Sequence, residues 1–392
     1  MVQALVDQFD ASFQPGPNQR WVERRHLEIT GIFGSLHIHR DYYVQEQRGH
    51  CPADAALALE GCYTPALARM MYRSAAKNSY AEASQDLFEY AGVKVCDRQI
   101  QRLVQEVAPS VGPWLETLPV QAPIGFMYVS GDGTGVPMRK EFLIGRKGKQ
   151  PDGSAKTREA KLGCVFLQTK VDEEGHPIRL EDSTSYIGSF EGAAQFGLLL
   201  RQEAQRRGMA HASKIIFIGD GAAWIWELTR VNFPGAILIL DFYHALQHLH
   251  GLVDAIWGKE TAEGKRHRKL WKGWLLKDKA GKVVEQAKAQ LERSLDTEKA
   301  EKEIGYLENN LDRMTYGTFR KAGYFIGSGV VEAGCKTVIG KRMKSSGMFW
   351  SEEGGQGMLD LRCAFLSDRL DLFCQARTAH HAARNDSLNF AA

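Results

Sequence analysis

One stretch, Ile215 to Leu249 (IIFIGDGAAWIWELTRVNFPGAILILDFYHALQHL), leaves few folds open to this chain. Ile215 to Ile218 is continuously apolar and ends in Gly219-Asp220-Gly221. A helical pattern follows, with apolar residues at Ala222, Ile225, Trp226 and Leu228. Pro234-Gly235 breaks it, and a second apolar run, Ala236 to Leu240, ends in Asp241 and enters a helix through Tyr243 and His244. Short strands with no polar alternation must be covered on both faces, which calls for an α/β fold with a parallel sheet and helical crossovers. Ligands in such sheets bind beyond the carboxyl ends of the strands, where Asp220 and Asp241 fall. A carboxylate there, flanked by glycines that let a ligand reach the backbone, is a candidate metal ligand. The same aspartate can equally cap the helix that follows.

The 392 residues allow two or three domains. At 44% apolar and 25% charged residues, with no run of 18 apolar residues and no signal-like N-terminus, the expectation is a cytoplasmic protein without a membrane partner. Seven cysteines, none in a Cys-x-x-Cys pair, argue for reduced thiols rather than disulfides or zinc. A net charge of +3 does not by itself imply nucleic acid, but Arg139 to Lys161 carries eight Lys/Arg against three Asp/Glu. Such a run suits a solvated loop or a DNA backbone, with Arg146, Lys147 and Lys149 as contacts.

Residues 1–60 offer a small β-hairpin, Arg25 to Arg40 around Gly31 and Gly34, with His37 and His39 on one strand face. Residues 61–112 turn helical. Ala83, Leu87 and Phe88 share one side of a first helix, Gly92 interrupts, and Asp97 can cap a second with the stripe Ile100, Leu103, Val104 and Val107. The outward face of that second helix shows Arg98, Gln99 and Arg102, residue types that bond phosphates and purine edges, as in a DNA-binding helix-turn-helix. Three prolines make 113–123 a linker. Ile124 to Ser130 reads as a strand ending in Gly131-Asp132-Gly133, followed by strands at Leu162 to Thr169 and Ser183 to Ile187 and a helix over Glu191 to Arg207. The core is expected over 124–250 and 326–370, divided by an all-α insertion at 251–325 that is charged and free of proline, with a frayed tail at 371–392. After Gly327-Ser328-Gly329 an amphipathic helix buries Val331, Cys335, Val338 and Ile339, and it carries Glu332 in its first turns beside Lys336.

Three strands, a helix and a βαβ continuation, with Asp132 after the first strand, Asp220 after the fourth and a glutamate on a late helix, is a ribonuclease-H-like layout. Its chemistry explains the residue types. Two Mg²⁺ or Mn²⁺ ions roughly 3.5 to 4 Å apart need hard carboxylate oxygens from separate elements. The motifs SGDGTGVPMRK (130–140), KLGCVF (161–166), GDGAAWIWEL (219–228), DFYHALQHL (241–249), GSGVVEAGCKTVIGKRMK (327–344) and SGMFW (346–350) resemble the ISKra-type DDE transposases of bacterial insertion sequences, distant relatives of Mutator-like transposases. The resemblance runs from about residue 25 to 370. It implies that Asp132, Asp220 and Glu332 form the catalytic metal-binding triad, and that Asp241-x-x-His244 is the D-x-x-H signature, with His244 catalytic or a helix-start residue. It also implies transposon-end and target DNA as partners, met by Arg98, Gln99, Arg102, Arg146, Lys147, Lys149 and Lys336, and a homo-oligomer on nucleoid DNA. Similar proteins carry a paired-cysteine segment after a Tyr-Tyr pair; here Tyr42-Tyr43 is followed only by Cys51.

Two other readings compete. A Rossmann-like hydrolase also places aspartates at strand ends, but neither GxGxxG nor a Walker motif is present. A transposase-derived protein that binds DNA without cutting it would not need all three carboxylates. Among glutamates that could complete the triad, Glu308 lies in a charged helical run and Glu352-Glu353 beside Gly354-Gly355, in an expected turn. Glu332 alone has a helix with a stripe that can dock on the sheet.

Overall fold

The structure, a computed structural model, describes residues 2–46, 48–122, 125–148, 150 and 152–389. The chain divides into two compact units, one made of Met1–Thr117 with Arg342–Ala392 and the other of Leu118–Lys341. Among the described residues no helix is long and apolar enough to cross a membrane.

The first unit begins with α1 (Val2–Ser12), which the sequence reading does not assign. It packs on the hairpin of β1 (Arg20–Gly31) and β2 (Gly34–Gln45), joined by β3 (Arg48–His50). Val6, Ile29 and Ile38 form the contact, so the hairpin is longer than expected because α1 covers its inner face. His37 and His39 stay exposed, with His26 Nε2 3.0 Å from His37 Nδ1. After α2 (Pro52–Ala56), three helices pack together: α3 (Pro65–Lys77), α4 (Tyr80–Ala91) and α5 (Asp97–Val107). Ser79 and Glu82 close a capping box at the start of α4, and Gly92, at φ 66°, takes the left-handed turn that ends it. Ile100, Leu103, Val104 and Val107 are buried as the stripe predicts. The N-cap of α5 is Cys96, one residue earlier than expected. α6 (Val111–Glu116) occupies the first part of the expected linker; Pro123 and Ile124 lie outside the described residues.

The second unit is built on β4 (Phe126–Pro137), β5 (Thr157–Val171), β6 (Pro177–Arg179), β7 (Ser185–Ser189), α7 (Ala193–Arg206), β8 (Lys214–Gly219), α8 (Ala223–Asn232), β9 (Ile237–Leu240) and α9 (Phe242–Trp257). The sheet runs β6-β5-β4-β8-β9, with β7 also on β5. β5 is antiparallel to β4, whereas β8 runs parallel to β4 and β9 parallel to β8. This is a mixed α/β sheet. Met127, Val129, Val165 and Phe217 face Phe196 and Leu200 of α7 and Ile225 and Leu228 of α8. Tyr128, Phe166, Ile216 and Ile239 face the opposite layer, which holds α9. Both strand faces are dry, which is why their sequences lack alternation.

Four helices follow: α10 (Ala262–Leu275), α11 (Ala280–Ala289), α12 (Thr297–Glu308) and α13 (Tyr316–Lys321). Trp271, Val283, Ala300, Ile304 and Tyr316 join the core that begins at Tyr128 and Ile216, so sheet and insertion share one apolar interior. The chain returns through α14 (Gly329–Gly334), a π-helical stretch at Cys335–Gly340 and α15 (Lys341–Met343). Val331, Cys335, Val338 and Ile339 are buried as expected. A Cβ on Gly334 would lie 2.6 Å from the Tyr186 ring, so only glycine lets this helix rest directly on the sheet.

The remaining helices, α16 (Glu352–Leu366) and α17 (Leu370–Asn389), belong to the first unit. α16 packs on α3 and α5, and α17 on α2 and α3. This differs from the expectation that 342–370 completes the core and that the tail frays from 371; of the expected tail, 390–392 lie outside the described residues. Met358, Leu359 and Leu361 are buried against the N-terminal helices, and Arg377 binds both carboxylate oxygens of Glu60 at 2.8 and 2.7 Å.

Candidate functional site

Three aspartates sit at or just past the point where the parallel pairing of β4, β8 and β9 ends, although the first strand does not stop at Ser130 as expected: β4 runs on to Pro137, with Asp132 paired to Leu162 of β5. Ser130 of β4 is in parallel register with Ile218, and its hydroxyl donates to the Ile218 carbonyl at 2.7 Å. Beyond that rung β4 carries Asp132, while Asp220 and Asp241 come directly after β8 and β9. Asp132 Oδ1 accepts from the Gly133 N–H at 2.6 Å. Burial raises its carboxyl above the usual range, and the neighbouring Asp220 charge pushes the same way against bonds from Cys335 and Gly133.

Asp220 Oδ1 accepts from the Ala222 N–H at 2.9 Å, and its carbonyl accepts from Tyr306 Oη at 2.6 Å. Tyr306 sits on α12, so the insertion holds the loop that carries this aspartate. Gly221 has φ 97°, and a Cβ there would lie 2.6 Å from Tyr306 Oη. Behind Tyr306, the His248 ring stacks at 3.4 Å between centroids, and its Nδ1 lies 2.5 Å from Glu303 Oε2.

Asp241 is fully buried. Its Oδ1 accepts from the His244 N–H at 2.7 Å and meets His244 Nδ1 at 3.1 Å, while Oδ2 accepts from the Ser328 N–H. Burial pushes its carboxyl up, but the bonds from His244 and Ser328 outweigh that and hold it low. Asp241 is therefore the cap of α9, with both oxygens engaged. The same bond raises the His244 pKa, helped by the charges of Asp241, Asp220 and Glu332. Glu332 Oε1 lies 3.6 Å from His244 Nδ1 and accepts from Ser328 Oγ at 3.2 Å.

Among the described residues, the ligand atoms of Asp241, His244 and Glu332 lie within 4.8 Å of one another and form the set that could hold a metal ion. Asp132 and Asp220 are outside that set and reach it through charge. Asp241 is engaged by three donor groups, while Asp132, Asp220 and Glu332 accept from Gly133 N–H, Ala222 N–H and Ser328 Oγ respectively. Carboxylate oxygens are the hard donors that Mg²⁺ or Mn²⁺ takes.

The other expected contacts fall elsewhere. Arg146 and Lys147 line a cleft of about 750 Å³ with Lys156, Arg158 and Glu159; Lys149 lies outside the described residues. Lys336 is exposed on the π-helical stretch that follows Glu332. On α5, Arg98, Gln99 and Arg102 are exposed, but Gln99 Oε1 accepts from the Cys96 N–H at 3.0 Å and Arg102 pairs with Glu106 at 2.9 Å. Glu308 pairs with Lys288 at 2.6 Å, and Glu352 and Glu353 form the first turn of α16 rather than a loop. Tyr306, His248 and Glu303 were missed. A tyrosine in a charged helix has no local signature of a contact 86 residues away.

No curated protein matches the chain. The model of an uncharacterised protein family, UPF0236, matches residues 1–371, nearly the full length, and the chain belongs to that family.

Proposed function

We propose that the chain is a DDE-type DNA transposase, cutting at insertion-sequence ends with divalent metal and joining the ends to target DNA. The observation that carries this reading is the convergence of Asp132, from within β4, and Asp220, just past the neighbouring β8, with Glu332, from a helix docked on the same sheet, around His244. A sheet of antiparallel strands continued by two parallel ones suits a ribonuclease-H-like core. The cationic cleft beside Arg146 suits a phosphate backbone, and the exposed face of α5 suits end recognition.

When bound, two Mg²⁺ ions would activate the attacking oxygen and stabilise the leaving one. Asp132, Asp220 and Glu332 would hold them. Asp241 fixes the His244 ring through Nδ1 and favours its charged form, leaving Nε2 to hold or release a proton beside the phosphodiester. Tyr306 keeps Asp220 in place through the backbone. By the symmetry of paired transposon ends, the working form is a homo-oligomer on bacterial nucleoid DNA.

The test is incubation of the purified protein with duplex DNA flanking its reading frame, in Mg²⁺ and in Ca²⁺. Nicking in Mg²⁺ that Asp220→Asn abolishes is expected. A gel shift that never becomes a nick under any divalent ion would reduce the protein to a DNA binder.

A further inference from the structure

The second unit holds another cavity, of about 710 Å³, next to the carboxylates. That is within the roughly 300 to 1,000 Å³ of small-ligand pockets. Its floor is apolar and aromatic, from Tyr243, Leu276, Phe325 and Ile326. Tyr243 stands out because 62% of it is exposed while its ring packs closely against Gly327, where a Cβ would come within 3.0 Å. At the rim stand Arg320 and Lys321, both exposed at the end of α13 and without an ion pair among the described residues. The acid on that rim, Glu174, lies 3.4 Å from His176 Nδ1.

An apolar lining with an open aromatic ring and two cations without ion pairs fits an occupant with a planar body and a negative charge. A nucleotide has both. The cleft is also continuous with the site. Tyr243 directly precedes His244, and Gly327 directly precedes Ser328, whose N–H binds Asp241. We infer that the cleft takes one unstacked nucleotide of the DNA strand, its base on Tyr243 and its phosphate at Arg320 and Lys321, beside the bond to be cut. The placement beside that bond rests on the transposase reading; the nucleotide site itself does not. A base inside a duplex cannot reach such a floor, so the strand must be single or locally opened.

The probe is a short single-stranded oligonucleotide of mixed sequence carrying 5-iododeoxyuridine, held with the full chain in Ca²⁺. Photocrosslinking should label the peptide containing Tyr243. By fluorescence anisotropy Tyr243→Ala should weaken binding roughly 5- to 100-fold, the range for losing one aromatic stacking partner, while Tyr243→Phe stays close to wild type. Arg320→Ala with Lys321→Ala should weaken binding and flatten its salt dependence. Crosslinks only outside the cleft, unchanged affinity in a folded Tyr243→Ala variant, or no binding of the oligonucleotide would each overturn the inference. Duplex nicking with no crosslink in the cleft would remove the cleft and leave the transposase reading standing. Crosslinks at Tyr243 in a protein that never nicks would do the reverse.

Discussion

Glu332→Gln separates the metal-binding role of this side chain from any structural one. The substitution keeps the shape and the acceptor for Ser328 Oγ but removes the charge. Its structural cost is small. The side chain is 35% exposed, its polar partners are one hydroxyl at 3.2 Å and His244 at 3.6 Å, and solvent screening limits the loss to about 1 kcal/mol or less. The cost to metal binding is larger. Partners that merely support a ligand are worth about 10- to 100-fold in affinity or activity, so a direct ligand should be worth at least about 100-fold, or roughly 2.7 kcal/mol. Two measurements read this out: Mn²⁺ affinity by electron paramagnetic resonance on the DNA-free protein, and nicking of flanking duplex in Mg²⁺. Both should fall by two orders of magnitude or more, with unchanged DNA affinity in Ca²⁺ and a melting temperature within a few degrees. Glu352→Gln with Glu353→Gln, in the first turn of α16, should behave as wild type in both. If the Glu332 variant binds Mn²⁺ and cuts normally while the double variant does neither, the third ligand has been placed on the wrong element.

Asp360 on α16 has its carboxyl raised by burial to about 7, against the bond with Gln356. A raised carboxyl makes the native state bind its proton more tightly than the unfolded chain does, so stability falls as pH rises from about 4 through 7. Asp360→Asn should therefore stabilise the protein more at pH 8 than at pH 5, the difference being on the order of a few kcal/mol; denaturant midpoints that shift equally at both pH values would refute the assignment. Arg146→Ala with Lys147→Ala should weaken binding to all DNA alike and lower the salt slope by about 0.9 per lost phosphate contact, whereas a changed sequence preference at constant slope would contradict a backbone role. Arg98→Ala and Arg102→Ala should each weaken binding to end DNA by about 1 to 3 kcal/mol per base-reading contact, and unaltered specificity at fixed salt would exclude α5 as the reading helix.

The two parallel strands that end in Asp220 and Asp241 were legible because the signal is local, whereas the glycines around Asp132 hid the continuation of β4 to Pro137. Ile215 to Ile218 and Ala236 to Leu240 are apolar throughout, and each run ends where a glycine or helix start makes room for an acid. The stripe of Val331, Cys335, Val338 and Ile339 was legible for the same reason. What an apolar stripe packs on is not written locally. The pattern after Gly329 continues into Met343 without a break in composition, so nothing marked residue 342 as the point where the chain joins the first unit. α1 was missed because its one fully buried side chain, Val6, leaves little periodicity to read. Asp241 looked like a second metal candidate, and only the three donors around it show that it is a cap. Tyr306 needed the fold, since its partner is a backbone carbonyl.

The common interior of sheet and insertion has a consequence for anyone who would shorten this protein. Leu249, Leu252 and Val253 on one side of it meet Trp271, Val283 and Ile304 on the other. Deleting the four helices would expose the side of α9 that they cover and would release the loop of Asp220 in the same stroke. The helices are thus no appendage that a lineage could shed or an engineer could exchange for another. They melt with the site or not at all, and whatever grips them also grips the carboxylate.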